Sequence, residues 1–487
     1  MIDKIINFIS PSWGLKRAES RMRLKASEAW EGSSKRRIVF ENYNPSTNDL
    51  NDDIFNELPT LRNHCADLIR NNALAAGVIN TKVTSVVGAG LKMKPVIDDS
   101  KVNISEYSEL IEDEFTLWAN DRYECDGFAE LTFAEAQDLF FRTILAQGDC
   151  FIRFGYFKNS GCKFKFKFYL ISPDRVSNPN NQSNNDYLKN GIKYDKKTGR
   201  AIGFYFSTGK TSKTWQFQPY LSPSGRVLAI HGIFRKTIGQ SRGIPDIANI
   251  IVLLKQLGDF TDAYLQKAIV SAILSVFVKT EDGMGMQGLG TSTVQNKIDR
   301  YQLGSGTVMQ GSVEDDIEII ESSTPSNTFD PFILSIIRQI GIATEVPYEI
   351  LVKHFTSSYT AAQASFLEAW RYFKHRREIL ANTLCLPVYR AWFESAVFEN
   401  ILPFDDFLFA DKRIKNAYTA CEWIGEPQGH IDQLKSNKAD AYAQDMGWVS
   451  GSYNAAIRGQ NWQKVNIKRQ QEQEFLKSKG LYNEQSN

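Results

Sequence analysis

The sequence predicts a helix-rich α+β chain, and three observations carry that prediction. Apolar or small residues recur at three- and four-residue steps from Ile247 through Ile250, Leu254, Leu257, Thr261, Tyr264 and Ala268 to Ser271. Strict alternation between Cys150 and Phe168 marks a β-hairpin. Helical periodicity then takes over from Thr328 to a polar, Gln- and Lys-rich end.

At 487 residues the chain has room for roughly two to four folding units. Its apolar fraction of 42% and charged fraction of 23% are those of an ordinary water-soluble chain. No run of about 18 apolar residues occurs, so no membrane partner is expected. The start, Met1–Ile2–Asp3–Lys4, lacks signal-peptide anatomy. The 6 cysteines are scattered, as in a protein made in a reducing cytosol, and the 5 histidines do not pair at ligand spacing. Neither a metal nor a cofactor is expected.

A net charge of +1 argues against a static grip on nucleic acid, which needs a strong basic excess. The charge is banded instead. Met1–Phe40 holds nine basic and four acidic residues, and Lys279–Glu321 three basic and eight acidic, including Glu314, Asp315 and Asp316. Between Lys353 and Glu378 the balance is basic again, with Arg371, Lys374, Arg376 and Arg377. Such bands suit a surface that meets partners, or one past which DNA slides without sticking.

Residues 1–58 read as a mobile basic arm, with Asn, Asp, Ser and Pro clustered from Asn42 to Asp53. A helix is predicted from Thr60, with Leu61, Cys65, Leu68, Ala76, Ile79, Val83 and Val86 on one side, ending near Gly88–Ala89–Gly90. A second begins at Thr132, whose spacing to Glu135 is that of a capping box, and stops at Gly148. The hairpin follows, turning at Asn159–Ser160–Gly161 into Lys163–Phe168. Lys163, Lys165 and Lys167, alternating with phenylalanine, read as a solvated outer face rather than a phosphate site.

Further strands are predicted at 203–207 and 227–234. A helix of about 28 residues, some 42 Å long, follows from Pro245. Its thin seam calls for a neighbouring helix, which a ring of identical subunits would supply. A small α/β insert comes next, with strands at 273–279, 307–310 and 317–320 and a helix near 294–301. Then come a helix at 328–344, a loop, and a long helix at 359–398 kinked at Pro387.

Two strings invite an enzymatic reading. Gly239–Gln240–Ser241–Arg242–Gly243 fits G-x-S-x-G, so a serine hydrolase built on Ser241 is the alternative function. Four residues, Arg235–Ile238, separate the string from the preceding strand, whereas a nucleophile elbow sits at the strand's end. Gly283–Met284–Gly285–Met286–Gln287–Gly288 fits GxGxxG, but a lone β–α–β fragment makes no dinucleotide fold. The basic residues 371–377 lie beside Trp370, Tyr372 and Phe373. A salt-bridged outer face and a role facing DNA or a subunit stay open for them.

Taken in order, several strings resemble the portal proteins of tailed bacteriophages, of the lambda type, from about Leu61 to Leu481. They are Leu68–Asn72 with Val87–Gly90; Gln147–Gly148–Asp149; Gln240–Pro245; and Ile340–Ala343 with Pro347–Glu349. Two departures stand out: Gln363 takes the place of an arginine, and Gln433 that of a proline after Ile431–Asp432.

The resemblance implies a portal fold of wing, stem, clip and crown, assembled as a homo-oligomeric ring, dodecameric in the virion, with a central channel. It implies an arm at 1–58, a wing at 59–240, a stem helix at 241–272 and a clip at 273–326. A second stem helix would occupy 327–344, a tunnel loop 345–358, a kinked helix 359–404, and the crown and tail 405–487.

Double-stranded DNA would pass Lys353, His354, Thr356, Ser357 and Ser358. Arg371, Lys374, Arg376 and Arg377 would face the channel or a subunit. Glu314, Asp315 and Asp316 would meet partners, and Ile247, Ile250, Leu254 and Leu257 would make stem contacts between copies. Implied partners are the terminase large subunit, a head-completion adaptor, and major capsid and scaffold proteins. No catalytic residue is implied. The ring would sit at the portal vertex of the virion after assembly in the host cytoplasm.

Overall fold

The computed structural model of the chain describes residues 11–26, 45–97, 101–102, 104–157, 161–209, 214–273, 276–280, 308–312, 326–354, 358–427, 433–458, 460 and 462–479. Contacts divide the chain into a first unit, Met1–Asp52, and a second, Asp53–Asn487. Within the first, helix α1 spans Pro11–Ala26.

Helix α2 spans Leu50–Asn71. It begins ten residues before the predicted Thr60, so the last part of the supposed arm is helical. The predicted single helix is also broken at Asn72. Its side-chain oxygen accepts the N–H groups of Leu74 and Ala75, each at 3.0 Å, and so starts α3, Ala73–Val86. A short strand β1 (Lys92–Pro95) and helix α4 (Ser108–Asn120) follow. Helix α5, Phe133–Gln147, opens on the Thr132–Glu135 capping box and closes at Gly148, whose φ is 96°. Both ends lie where the sequence puts them.

Strands β2 (Asp149–Tyr156), β3 (Phe166–Ile171) and β8 (Ala229–Ile233) form an antiparallel sheet in the order β3-β2-β8. A second antiparallel sheet orders β4 (Leu188–Lys189), β5 (Ile192–Tyr194), β6 (Ala201–Ser207) and β7 (Trp215–Pro219) in sequence. The return strand starts later than the alternation suggests, and one lysine of its row is misread. Lys167 is buried, its ammonium donating to the Tyr123 carbonyl. The strand is covered on both faces, so the long stem of Lys167 lies in protein and only its tip finds an acceptor.

Pro245 does not start the long helix. The backbone N–H of Asp246 first bonds the Leu145 carbonyl at 2.8 Å, and a single 3-10 turn, Ala248–Ile250, intervenes. Helix α6 then runs Ile251–Ile273, 23 residues rather than about 28. It leads into β9 (Val276–Thr280), which pairs in parallel with β10 (Val308–Ser312). The helix near 294–301, the strand at 317–320 and the turn at Asn159–Ser160 lie outside the described residues.

Helix α7 spans Ser326–Thr344. The neighbour that the α6 seam calls for is α7 of the same chain: Tyr264 stacks on Phe329 at 4.1 Å, and Phe260 approaches Phe332 at 5.1 Å. A short helix α8, Tyr348–Val352, occupies part of the segment predicted as loop. Helix α9 (Tyr359–Leu380) passes through a π turn (Ala381–Cys385) into α10 (Leu386–Phe398). The widened turn stands just before Pro387, which has no N–H to offer the preceding turn.

Helices α11 (Asp405–Phe409) and α12 (Lys412–Tyr418) precede β11, Cys421–Ile424, which pairs antiparallel with β1. The tail carries α13 (Gln433–Asp445), α14 (Gly451–Ile457) and α15 (Trp462–Ser478). The main core joins α3, α5, β2 and the start of α6 to α9 and α10, with an aromatic cluster around Phe115, Trp118, Tyr389 and Trp392. No described helix is long and apolar enough to cross a membrane.

Candidate functional site

Two strings far apart in sequence, Gln147–Gly148–Asp149 and Gln240–Pro245, meet in space and fix where α6 leaves the sheet. The backbones touch there. A Cβ on Gly243 would lie 1.8 Å from the Gly148 carbonyl oxygen, so only glycine fits.

Asp149 follows at once and is fully buried. Its carboxylate accepts Arg242 Nε at 2.6 Å and Nη2 at 3.2 Å, Arg62 Nη2 at 2.8 Å and the Gly243 N–H at 3.1 Å. His231 Nε2 stands 3.2 Å away, its ring stacked on Phe151 at 4.2 Å. Arg242 spends its other N–H groups on the carbonyls of Val176 (2.6 Å), Pro173 (2.9 Å) and Asn190 (3.1 Å).

Burial by itself would raise the Asp149 carboxyl. Arg242, the His231 hydrogen bond and Arg62 outweigh it and hold the group well below the usual carboxylate range. Burial, with Arg242 close by, lowers Arg62 to about 10. Lys82, also buried, adds a second tie, its Nζ 2.5 Å from Asp246 Oδ2. The arrangement is a desolvated joint, with every Asp149 carboxylate oxygen bonded, that orients the long helix.

At the far end of α7 the chain turns through Glu345, at φ 58°, into α8. Lys353 ends α8 in the left-handed region, at φ 53°, and the His354 N–H bonds the Glu349 carbonyl at 3.2 Å. Both side chains are exposed. Ser358 caps α9, its hydroxyl accepting the Ala361 N–H at 3.4 Å. Thr356 and Ser357 lie outside the described residues.

The family described as "Phage portal protein, lambda family" matches residues 38–377, more than two thirds of the chain. The chain belongs to that family. It is 25% identical over 449 residues to Portal protein B of Escherichia phage lambda, covering 85% of this chain and 83% of that one. To the portal protein of Escherichia phage N15 it is 25% identical over 448 residues, covering 85% and 84%. Among solved structures it is similar to "Neck of native GTA particle computed with C12 symmetry", with a TM-score of 0.38, 12% identity and coverage of 83% and 94%. "Virion of native gene transfer agent (GTA) particle" matches with a TM-score of 0.39, 12% identity and coverage of 83% and 93%.

In this portal protein the G-x-S-x-G string serves the joint, and the serine hydrolase reading finds no support. Ser241 is 2% exposed, and its hydroxyl accepts Asn190 Nδ2 at 2.9 Å, whereas a nucleophile needs an open approach to substrate. Ile247, Ile250, Leu254 and Leu257 are 0–4% exposed within a single chain. They belong to its own core and offer nothing to another copy. Among the described residues, the large apolar side chains that α6 leaves on its surface are Val252, Phe260, Leu265 and Ile269.

The basic cluster divides. Arg377 donates to the carbonyls of Ser85 (3.1 Å), Val86 (3.0 Å) and Glu426 (2.7 Å), and burial lowers its pKa. Arg376 lies over the Phe234 ring at 4.6 Å, 3.8 Å from Glu345. These two are internal ties. Arg371, paired with Glu368 at 3.0 Å, and Lys374 stay on the surface. Glu314, Asp315 and Asp316 lie outside the described residues. Sequence reasoning missed Asp149 as the partner that Arg242 and Arg62 share; the pair of family-like strings was the available signal for Asp149, while Arg62 carried none.

Proposed function

We propose that copies of this portal protein close into a ring, dodecameric in the virion, through which double-stranded DNA is packaged and later ejected. The observation that carries the reading is the family match across residues 38–377. Head-to-tail contacts that close on themselves bury each subunit's edges against the next.

Lys353 and His354, exposed where α8 ends, suit the wall of such a passage, and the reading includes Thr356, Ser357 and Ser358, which follow in sequence. Weak, sequence-blind phosphate contacts allow sliding, and tight ones would stall it. Arg371 and Lys374 are the basic surface residues left for a channel or neighbouring subunit. The acidic Glu314–Asp316 stretch would receive the terminase large subunit and later the head-completion adaptor. Major capsid and scaffold proteins would surround the ring at the capsid vertex, after assembly in the host cytoplasm. The protein is a conduit and docking platform rather than a catalyst.

Negative-stain microscopy of the purified full chain tests the ring: annular particles are expected. A chain that stays monomeric, even with capsid components supplied, would overturn the reading. Reversing the charges of Glu314, Asp315 and Asp316 tests the docking face, with loss of terminase pull-down expected and unchanged binding counting against it.

A further inference from the structure

Strand β7 is an edge of the second sheet: among the described residues it pairs with β6 alone. The bonds to β6 fix which backbone groups it uses. The Thr208 N–H bonds the Thr214 carbonyl and the Tyr220 N–H the Ile202 carbonyl, both at 3.0 Å. Bonded and non-bonded pairs alternate along an antiparallel ladder, so Gln216, opposite Phe206, and Gln218, opposite Phe204, also face β6. Trp215, Phe217 and Pro219 turn their backbones outward. Pro219 has no N–H to offer, which suits an edge. The N–H and C=O groups of Trp215 and Phe217 have no backbone partner among the described residues.

The sheet beside that edge is basic. One face lies on a core of Ile192, Phe204 and Phe206. On the outer face the Phe217 ring lies 5.1 Å from that of Tyr205, and Lys193 Nζ stands 4.9 Å from the Phe217 ring centre. From Leu188 to Pro219 the sequence holds seven basic residues and one acidic. That acid, Asp195, accepts the N–H groups of Lys197 at 2.7 Å and Thr198 at 2.9 Å. Among the described residues, none of Lys189, Lys193, Lys196, Lys197 and Arg200 has a carboxylate partner.

Lysines placed on an edge strand discourage other chains from pairing with it. Here they stand elsewhere, because β7 itself, Trp215–Gln216–Phe217–Gln218–Pro219, carries no charge. The open carbonyls also select the kind of partner. Phosphates could accept the free N–H groups but would leave the carbonyls without donors. An extended peptide supplies both.

We propose that β7 takes an extended, acidic segment of a partner protein as a fifth strand, with its carboxylates meeting the lysines of the outer face. The site lies within a single chain and does not depend on the ring.

The test adds fluorescein-labelled eight-residue peptides to the full chain. One alternates Glu and Val, one alternates Lys and Val, and one is the Glu-Val peptide N-methylated at every residue. The last keeps the charge and loses every backbone donor. The plain Glu-Val peptide is expected to bind at least about tenfold more tightly than either of the others. Its affinity should fall at least about tenfold in a chain carrying Lys189→Glu and Lys193→Glu. In the wild-type chain, saturation with the peptide should slow amide exchange at Trp215 and Phe217 at least about tenfold. Equal binding by the N-methylated peptide, unchanged exchange at those two amides, or no binding of the Glu-Val peptide would overturn the proposal. So would exchange already slow in the chain without peptide, which would mean that the edge is covered. A short duplex DNA that binds more tightly than the Glu-Val peptide would assign the surface to nucleic acid instead.

Discussion

Arg242 Nε lies 2.6 Å from Asp149 Oδ2, and the two side chains expose 3% and 0% of their surface. The pair closes where the long helix is tied to the sheet, with Arg62 on the other carboxylate oxygen. A charge so placed is stable only while its partners are present.

Asp149→Asn should therefore destabilise the chain by about 3–5 kcal/mol, since two guanidinium groups would be left buried beside a neutral amide. Denaturant unfolding checks this, and a loss below about 1 kcal/mol would refute it. The pH dependence has a defined sign. The folded carboxyl lies below its unfolded value, so its contribution is complete above the ordinary carboxyl pKa of about 4. It is lost as pH falls toward the folded value. The gap between wild type and variant should narrow by about 1 kcal/mol between about pH 4 and pH 3.

Glycine substitutions should rank by what a Cβ would meet. At Gly243 the obstacle is backbone, 1.8 Å away, and Gly243→Ala should cost about 3 kcal/mol through forced separation of the two strings. At Gly199 the space is open but φ is +65°, so alanine should cost about 1 kcal/mol of strain alone. At Gly161 nothing lies within 4 Å, and the change should stay within about 0.5 kcal/mol. Thermal unfolding of the three variants gives the order directly, and a Gly243→Ala as stable as Gly161→Ala would show that the backbone contact is not needed.

The elements legible in the sequence are those whose signal is local. The Thr132–Glu135 box and the Gly148 stop each involve residues within one helical turn, and both appear in the structure. Periodicity tells less. It marks Ile247, Ile250, Leu254 and Leu257 as a buried face but not which chain buries them, and the answer is their own. Alternation likewise puts Lys167 opposite the phenylalanines without showing that a second layer covers that side too. Asp149 and Arg242 are 93 residues apart, and Lys92 pairs with Ile424 across the whole chain. No window of sequence contains either relationship. Asn72 broke a helix that its apolar pattern would have continued, because its side chain competes for the backbone N–H groups two and three residues on.

The basic residues on α9 should separate by substitution. Arg377→Ala strips the carbonyls of Ser85, Val86 and Glu426 of their donor, and should cost about 2–3 kcal/mol. Arg371→Ala removes an exposed i,i+3 pair and should change stability by less than about 0.5 kcal/mol. Packaging by Arg377→Ala should recover when the temperature is lowered, as expected of a folding defect. A stable Arg377→Ala protein that still fails to package would show that the guanidinium acts on DNA instead.

Lys353 gives the sharpest test of the passage, because its backbone and its charge can be varied separately. Its left-handed φ of 53° favours glycine, so Lys353→Gly should leave stability unchanged or raise it by up to about 1 kcal/mol. The same change removes one positive charge per subunit from the exposed turn. If that turn lines the bore, DNase-protected DNA should become less sensitive to salt, since each neutralised phosphate contact lowers the slope of log affinity against log salt by about 0.9. Lys353→Glu should go further and reduce packaging by repelling the duplex, with Lys353→Arg close to wild type. Protected DNA measured across a salt series, on rings shown to be intact, decides the matter. Equal packaging by Lys353→Glu and wild type at every salt concentration would place this turn away from the DNA.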